Sequence, residues 1–307
     1  MKKSSVGYTA KSLSEYLMRV DEILDSWKSE PIPTSSIKDY VWFRGLPKDE
    51  YQLLPSLYVK NNGIDESLER EINRDFKLNY PAVSDRYSVV DDFELLLKGR
   101  HFGLPTRIMD WTEASLVGLF FALELEKHRN DNGIVWVLDA RRLATLTRQK
   151  APEDFPKKFK LSTTIPPGNS ELLKNYILPS AGKSFDITKE RLVKAKYPFA
   201  FRPVRTTDRI DAQKGCFTIH GKTKKPLEEL KDEPGYKGPL TKRIRLDAIR
   251  IPATQKEGIF NELKKAGITH HTLFPDLDGL CKEITDRYQN VTKQRIARKS
   301  KGKSKRR

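Results

Sequence analysis

The stretch ASLVGLFFALELEKH (residues 114–128), followed closely by IVWVL (residues 134–138), decides the fold of this chain. Apolar side chains cover most of the helix circumference in the first stretch, which predicts a central, buried helix. DNG at 131–133 then supplies a turn. The second stretch is a nearly continuous apolar run, which indicates an interior strand. A buried helix that leads into a buried strand needs further elements on both sides to cover it.

The flanking segments predict helices and strands in irregular order. Apolar residues at helical spacing predict an amphipathic helix over residues 8–28. Short strands are predicted at 40–45 and 216–220, and a helix over 256–266 that ends before Gly267. Because the elements alternate without a regular strand–helix–strand rhythm, we expect an α+β fold rather than a doubly wound one. The expected architecture is a mixed sheet with a central buried helix and peripheral helices.

Three parts of the chain are expected: an N-terminal helix and linker at 1–37, an α+β domain at 38–290 and a disordered basic tail at 291–307. The tail carries nine Lys and Arg residues and no acidic residue. The formal net charge is +17, so the other residues keep a charge of +8. Such a tail binds polyanions by releasing their counterions, which makes nucleic acid or another polyanion an expected partner. It has no aromatic side chain to stack on a base.

Composition predicts a folded protein of the reducing cytoplasm. Hydrophobic residues make up 37% of the 307 residues, enough to form a core. No apolar run approaches the roughly 18 residues of a membrane helix, and the basic N-terminus lacks the apolar segment of a secretory signal. Cys216 and Cys281 are far apart and match neither a zinc site nor a disulfide framework. We therefore expect no membrane partner and no metal.

The stretch HFGLPTRIMDWT (residues 101–112) has two interpretations. In the structural one, Gly103 and Pro105 form a turn, and Asp110 with Glu113 forms a capping box at the start of the buried helix. Arg107 then pairs with Asp110 or another carboxylate. The stretch in this case only begins a helix.

In the functional interpretation, the same turn binds a ligand. A helix N-terminus attracts anions, and Arg107 adds a bidentate donor for phosphate or carboxylate. His101 carries a proton or donates to the same ligand. Thr106 lies beside the arginine, and Trp111 provides an aromatic wall. Together they predict a pocket for a planar ligand that carries an anionic group, such as a nucleotide.

Two other segments are candidates for further walls of this pocket. In VWFRG at 41–45, strand alternation places Trp42 and Arg44 on one face, where an arginine is either paired in the core or clamps a ligand. Arg209 and Gln213 precede the strand at 216–220, and Gln213 either bonds a ligand or is satisfied structurally. We therefore expect Arg44, His101, Arg107, Asp110 and Gln213 to converge.

The same blocks resemble the FRG domain family, which is named for a Phe-Arg-Gly tripeptide. That tripeptide is found here at residues 43–45, and the family's His-aromatic-Gly-x-Pro-Thr-Arg-x-x-Asp-Trp-Thr block is matched by His101 through Thr112. Later family blocks are matched at 132–136, 209–217 and 273–280. The resemblance implies a shared fold and pocket more firmly than a reaction, and it implies a role in phage–host conflict.

Two classes of function remain open. The first is an enzyme that acts on a nucleotide: the Arg-Gly at the end of a strand resembles the first motif of ADP-ribosyltransferases, which makes NAD a possible cofactor. The candidate catalytic residues are His101, Asp110 and Gln213, with Asp110 stabilising a cationic transition state. However, the Glu-x-Glu or Gln-x-Glu that those enzymes carry on a late strand is not found on a predicted strand here. A nuclease that uses the same pocket is a further possibility. The second class is a non-enzymatic nucleic-acid-binding protein that uses the basic surface and tail.

Overall fold

The computed structural model describes a core of elements separated by short undescribed stretches. The described residues are 7–28, 40–59, 66–83, 91–157, 165–168, 170–178, 193–203, 207–233, 236 and 243–288. The tail predicted at 291–307 and most of the predicted linker before residue 38 lie outside these ranges. None of the helices in the described ranges is long and apolar enough to cross a bilayer.

Seven strands form one mixed sheet in the order β1-β7-β4-β2-β3-β6-β5. β1 runs parallel to β7, and the other neighbouring pairs are antiparallel. This arrangement confirms the α+β prediction. The strands are β1 (Tyr8–Thr9), β2 (Val41–Leu46), β3 (Ile108–Thr112), β4 (Gly133–Asp139), β5 (Phe199–Phe201), β6 (Gly215–Ile219) and β7 (Leu246–Ile251).

Helices cover both faces of the sheet. Residues 277–288, the last described stretch, are also helical and are called α10 below. The others are α1 (Leu13–Lys28), α2 (Glu66–Val83), α3 (Asp92–His101), α4 (Ser115–Ala122), α5 (Ala140–Lys150), α6 (Ser170–Leu173), α7 (Asp208–Ala212), α8 (Lys256–Lys265) and α9 (His270–Leu273). Short 3₁₀ turns connect several of them.

The sheet divides the interior into two hydrophobic cores. All residues of β4 are buried, as the apolar run predicts, and its side chains alternate between the two cores. Trp136 packs in the larger core with β3, β5, β6 and α5, whereas Val135 and Val137 pack in the smaller core with α1, α4 and α8. Burial on both faces explains why β4 shows no polar–apolar alternation.

The central helix α4 is shorter than the sequence predicts and lies directly on β2. It ends at Ala122 rather than near residue 128. A Cβ atom added to Gly45 would collide with the backbone of Gly118 and Ala122. Because only glycine allows this approach, the Gly of the VWFRG segment is explained by helix packing.

The predicted capping box of α4 is wrong. Asp110 lies in β3, where it pairs in register with Phe217 of β6, and the N-cap of α4 is Ala114. The Thr112 hydroxyl accepts a hydrogen bond from the Ala114 amide at 3.0 Å instead. Since residues 108–112 are mostly β-branched, aromatic or apolar, pairing with β6 prevails over a local cap.

The N-terminal segment packs into the same core. Tyr16 and Ile23 of α1 are fully buried in the smaller core, and the Tyr16 hydroxyl donates to the Ser115 carbonyl at 2.9 Å. β1 adds the outermost strand beside β7. The described part of this segment therefore contributes to the fold at 38–290.

Candidate functional site

The sheet opens between β2 and β3. Within the described chain, Phe43 and Thr112 form the single register pair between these two strands. Beyond that pair the strands separate, and the Arg44 side chain bridges them by donating from Nη1 to the Asp110 carbonyl at 2.5 Å. An arginine therefore occupies the position where ladder hydrogen bonds would otherwise continue.

A cleft of about 1130 Å³ lies at this opening. Its volume exceeds the 300–1,000 Å³ that is typical of small-molecule sites. The walls come from β2, the end of α3, β3, α4, the following loop, α7, α8, α9 and α10. The cleft brings together four of the five residues that were expected to converge, and Trp111 and Arg209 line it as well; the four are Arg44, His101, Asp110 and Gln213.

The inner end of the cleft carries a cluster of three arginines and one carboxylate, called the arginine cluster below. Arg100 holds the Asp110 carboxylate from two of its nitrogens, with Nε 3.0 Å from Oδ2. Arg44 Nη1 is 3.9 Å from the same Oδ2. Arg209 lines the same cleft, and burial lowers the pKa of its guanidinium although the charges of Asp110 and Asp276 oppose this change. Around Asp110, the cationic groups therefore outnumber the carboxylates.

The environment of Arg44 is unfavourable for a cation. Burial lowers the pKa of its guanidinium to about 10, although Asp110 opposes this change, and the charge of Arg100 lowers it further. Its Nε is buried and has no hydrogen-bond partner in the described part of the chain. Arg44 stays protonated at neutral pH, with one backbone carbonyl and a shared carboxylate to compensate for lost hydration.

Asp110 is the internal counter-ion of this cluster. Burial favours its neutral form, but the charge and hydrogen bonds of Arg100 and the charge of Arg44 outweigh burial and lower the pKa of the carboxyl below 3.8. It is therefore ionised at neutral pH, and both of its oxygens face Arg100.

His101 lines the cleft beside this cluster at the C-terminal end of α3. Burial lowers the pKa of its imidazole below 6.5, and the positive charge of Arg209 lowers it further. The imidazole is therefore neutral at physiological pH, which is the form that accepts a proton.

The outer part of the cleft has an aromatic wall. Its rings are in edge or tilted contact, with centroid separations from 5.0 Å for Phe120 and His270 to 6.4 Å for Phe260 and His270. The Arg209 guanidinium lies over the Phe274 ring at 4.6 Å, so it connects the arginine cluster to the wall. The wall is formed by Phe120, Phe121, Phe260, His270 and Phe274.

Gln213 reaches the cleft but is already engaged structurally. It caps the C-terminus of α7, and its side-chain Nε2 donates to the Leu273 carbonyl at 3.0 Å. The backbone carbonyl of Gln213 accepts a hydrogen bond from the Thr112 hydroxyl at 2.7 Å. Gln213 therefore fastens α9 and β3 to each other at the edge of the cleft.

Arg107 does not line the cleft, contrary to prediction. It is fully buried and forms a two-point ion pair with Glu69 of α2, with Nε 2.8 Å from Oε1. Its Nη1 also donates to the Tyr58 hydroxyl and the His220 carbonyl. The alternative that Arg107 pairs with a carboxylate is correct, but the partner comes from a helix 38 residues away.

Trp42 and Thr106 also lie away from the cleft-lining residues. Trp42 is fully buried in the larger core. Thr106 is 1% exposed, and its hydroxyl accepts from the Ile108 amide at 3.3 Å. Both follow from ordinary packing: an indole fills core volume, and a threonine hydroxyl satisfies a nearby backbone amide.

Sequence reasoning missed Arg100 and the outer wall. Arg100 directly precedes His101 at the end of α3, where a basic residue is typical of a helix C-terminus and gives no sign of a site. The wall residues after 250 are separated from Arg44, Arg100 and Asp110 by more than a hundred positions. No group of three or more metal-ligating side chains is found in the described part of the chain.

The fold and site together define an α+β protein whose central sheet is split by a cleft with a cationic inner end and an aromatic outer wall. Residues 39–131 match the model of the FRG domain, so this part of the chain is an FRG domain. The matched region contains Arg44, Arg100, His101 and Asp110, whereas α7 to α10 follow it. No curated protein and no solved structure matches the chain.

Proposed function

We propose that the cleft binds a nucleotide. The anionic phosphate lies at the arginine cluster, and the base lies against the aromatic wall. Arginine is the side chain that best matches phosphate geometry, and aromatic rings stack on any base. The Arg209 guanidinium over Phe274 joins the two halves and suits the junction between phosphate and nucleoside.

One observation carries this proposal: three arginines line the inner cleft, and two of them, Arg44 and Arg100, share the carboxylate of Asp110. Arg44 is largely buried, with 19% of its side chain exposed. A buried cation with a shared counter-ion is costly, and a phosphate oxygen offers it the missing partner. The unpartnered Nε of Arg44 is a ready donor for that purpose.

We further infer that the bound nucleotide is processed by ADP-ribosyltransferase-like chemistry, with NAD as the substrate. A phosphate that engages Arg44 and Arg100 competes with Asp110 for both. The released carboxylate then stabilises the positive charge that develops on the ribose when the bond to nicotinamide breaks. Neutral His101 is suited to accept the proton of the attacking acceptor group. Gln213 acts as a positioning residue through its bond to Leu273.

Calorimetric titration with ADP-ribose, AMP and NAD tests the binding step. We expect Arg44→Gln to weaken binding of each nucleotide at least tenfold, because a charge-assisted hydrogen bond contributes about 1.5–3 kcal/mol. Arg129→Gln is the matched control: this arginine also lines the cleft but is paired with Glu257 on the surface. Nucleotide binding that is equal in both variants, with both folded by circular dichroism, contradicts the proposal.

Release of nicotinamide from NAD tests the reaction separately. We expect slow turnover in the wild type and its loss in Asp110→Asn, with binding retained. If NAD binds but no nicotinamide is released, the proposal of nucleotide binding stands and only the proposal of transferase chemistry is rejected.

The basic tail supports a second candidate, a nucleic-acid-binding protein. Nine of the positive charges lie at 291–307, and these suffice for salt-dependent, sequence-independent binding. Fluorescence anisotropy with labelled duplex DNA distinguishes the two. If DNA binding is lost on deleting 291–307 and kept in Arg44→Gln, the tail binds the DNA. If DNA binding is kept after the deletion and lost in Arg44→Gln, the cleft binds it.

A further inference from the structure

A second surface of the domain carries four exposed lysines and is called the lysine face below. Two segments of the chain lie side by side there. The Lys222 amide donates to the Ala195 carbonyl at 2.9 Å. The Thr223 amide donates to the Lys196 carbonyl, also at 2.9 Å. Ala195 is buried between two exposed lysines, and Thr223 is half-buried between two others, so the alternation turns the lysines towards solvent. The lysine face consists of Lys194, Lys196, Lys222 and Lys224.

The positive charge of the lysine face is not neutralised by the fold. Within the described ranges, none of its four lysines forms an ion pair, whereas the neighbouring Lys225 pairs with Glu233. Three of the lysines line an open depression of about 370 Å³ together with Glu153 and Asp154. Asp154 is 6% exposed, and its carboxylate accepts a hydrogen bond from the Lys196 backbone amide at 3.3 Å. The face therefore keeps an excess of positive charge.

The lysine face lies at the opposite end of β6 from the cleft. Gly215 and Phe217, at the start and centre of the strand, line the cleft. Lys222 follows the other end of the strand, which is at Ile219. A strand of this length spans about 13 Å, at roughly 3.3 Å per residue. A ligand in the cleft and a partner on the lysine face therefore occupy separate surfaces.

The composition of the lysine face favours a duplex phosphate backbone over a protein or an unpaired strand. None of the exposed large hydrophobic residues of the described chain lies in it, so it offers no apolar anchor of the kind that dominates protein interfaces. The ring of Tyr197 is already covered by ammonium groups: those of Lys150 and Lys196 lie 4.4 Å and 5.3 Å from its centroid. This disfavours the stacking of an unpaired base on the ring.

We propose that the lysine face binds the phosphate backbone of a duplex nucleic acid without sequence preference. Duplex DNA carries one negative charge per about 1.7 Å of its axis, which is dense enough for several lysines to contact phosphates at once. Lysines two positions apart on an extended segment lie about 6.6 Å apart, within reach of neighbouring phosphates. Each contact releases counterions, so binding weakens as the salt concentration rises. The proposal depends neither on the nucleotide cleft nor on the tail at 291–307.

Fluorescence anisotropy of a labelled duplex DNA with the full chain tests the proposal. The first variant combines Lys194→Gln, Lys196→Gln and Lys222→Gln. The matched control removes the same amount of charge from three other exposed lysines and combines Lys11→Gln, Lys127→Gln and Lys265→Gln. We expect the first variant to bind DNA at least about tenfold more weakly and to reduce the steepness of the log–log salt dependence by about 2.7, since each lost phosphate contact removes about 0.9. The control should change both quantities much less.

Lysine acetylation followed by mass spectrometry provides a second readout that needs no substitution. We expect bound duplex DNA to protect the lysine face of the wild type and to leave Lys11, Lys127 and Lys265 reactive. Equal DNA affinity in the two triple variants overturns the proposal, and so does protection that is confined to residues 291–307. If the first variant keeps its affinity for DNA but loses affinity for poly-glutamate, the proposal is rejected in favour of an acidic protein partner.

Discussion

Arg107 and Arg44 are both largely buried and both belong to family blocks, but they have opposite surroundings. Arg107 has a carboxylate of its own, Glu69, together with Tyr58 and the His220 carbonyl. Arg44 shares Asp110 with Arg100, and its Nε has no partner in the described chain. A buried ion pair with additional hydrogen bonds is closed to ligands, whereas an arginine with a shared counter-ion is open to an anion. The two buried arginines therefore differ in the number of partners that the described fold supplies to each.

The largest expected effect comes from breaking the buried ion pair between Arg107 and Glu69. Glu69→Gln leaves Arg107 buried without its counter-ion, so we expect a loss of about 3–5 kcal/mol in the free energy of unfolding. Urea denaturation measures it. Glu71→Gln on the exposed face of α2 is the matched control and should change stability little. Nucleotide affinity per folded molecule should be unchanged, and a large loss of affinity would place Arg107 in the site after all.

The free energy of unfolding should also depend on pH through His220, which lies beside this buried ion pair. His220 adjoins Arg107 and is fully buried, and burial lowers the pKa of its imidazole to about 3, with Arg44 and Arg107 lowering it further. Between pH 6.5 and this value the unfolded chain binds a proton that the folded chain does not. Stability is therefore full above pH 6.5 and falls as the pH is lowered, by up to about 1.4 kcal/mol per pH unit from this group.

The comparison that isolates this effect is His220→Gln against the wild type. We expect the wild type to lose more stability than the variant between pH 6.5 and 4.5 in urea denaturation. Parallel curves for the two proteins in this range would show that the imidazole is protonated in the folded state.

The smallest expected effect concerns Asp110 and the two arginines that share its carboxylate. Asp110→Asn removes the internal anion that competes for Arg44 and Arg100, so we expect phosphate, used as a simple probe, to bind several-fold more tightly. This corresponds to about 1 kcal/mol, within the range of a partly exposed charge interaction. Asp211→Asn, which removes a surface carboxylate paired with Lys214, serves as the control. Weaker phosphate binding in Asp110→Asn would mean that Asp110 orients the arginines and does not compete with the ligand.

Local sequence predicts some elements of the fold correctly but gives the wrong surroundings for Asp110 and Arg107. The buried helix and the interior strand β4 follow from their apolar patterns, since each must be covered on several sides. The prediction that Asp110 caps the central helix was wrong, because an acidic residue three positions before Glu113 fits a capping box as well as it fits a strand. Its true place in β3 depends on pairing with β6, about a hundred residues later. Arg107 misled for a similar reason, because its partner Glu69 lies in another helix.

The amino-acid sequence by itself determined the α+β class, the central helix, the FRG domain that the family model matches at 39–131 and the candidates Arg44, His101, Asp110 and Arg209. These depend on local periodicity and on contiguous motifs, which can be read without knowing any long-range contact. Only the tertiary structure decided which arginine is closed in an ion pair, which one faces the cleft, and that Arg100 and the aromatic wall belong to it. Those outcomes depend on which carboxylates and rings the fold brings within a few ångströms, because electrostatic and packing energies depend on distance in space.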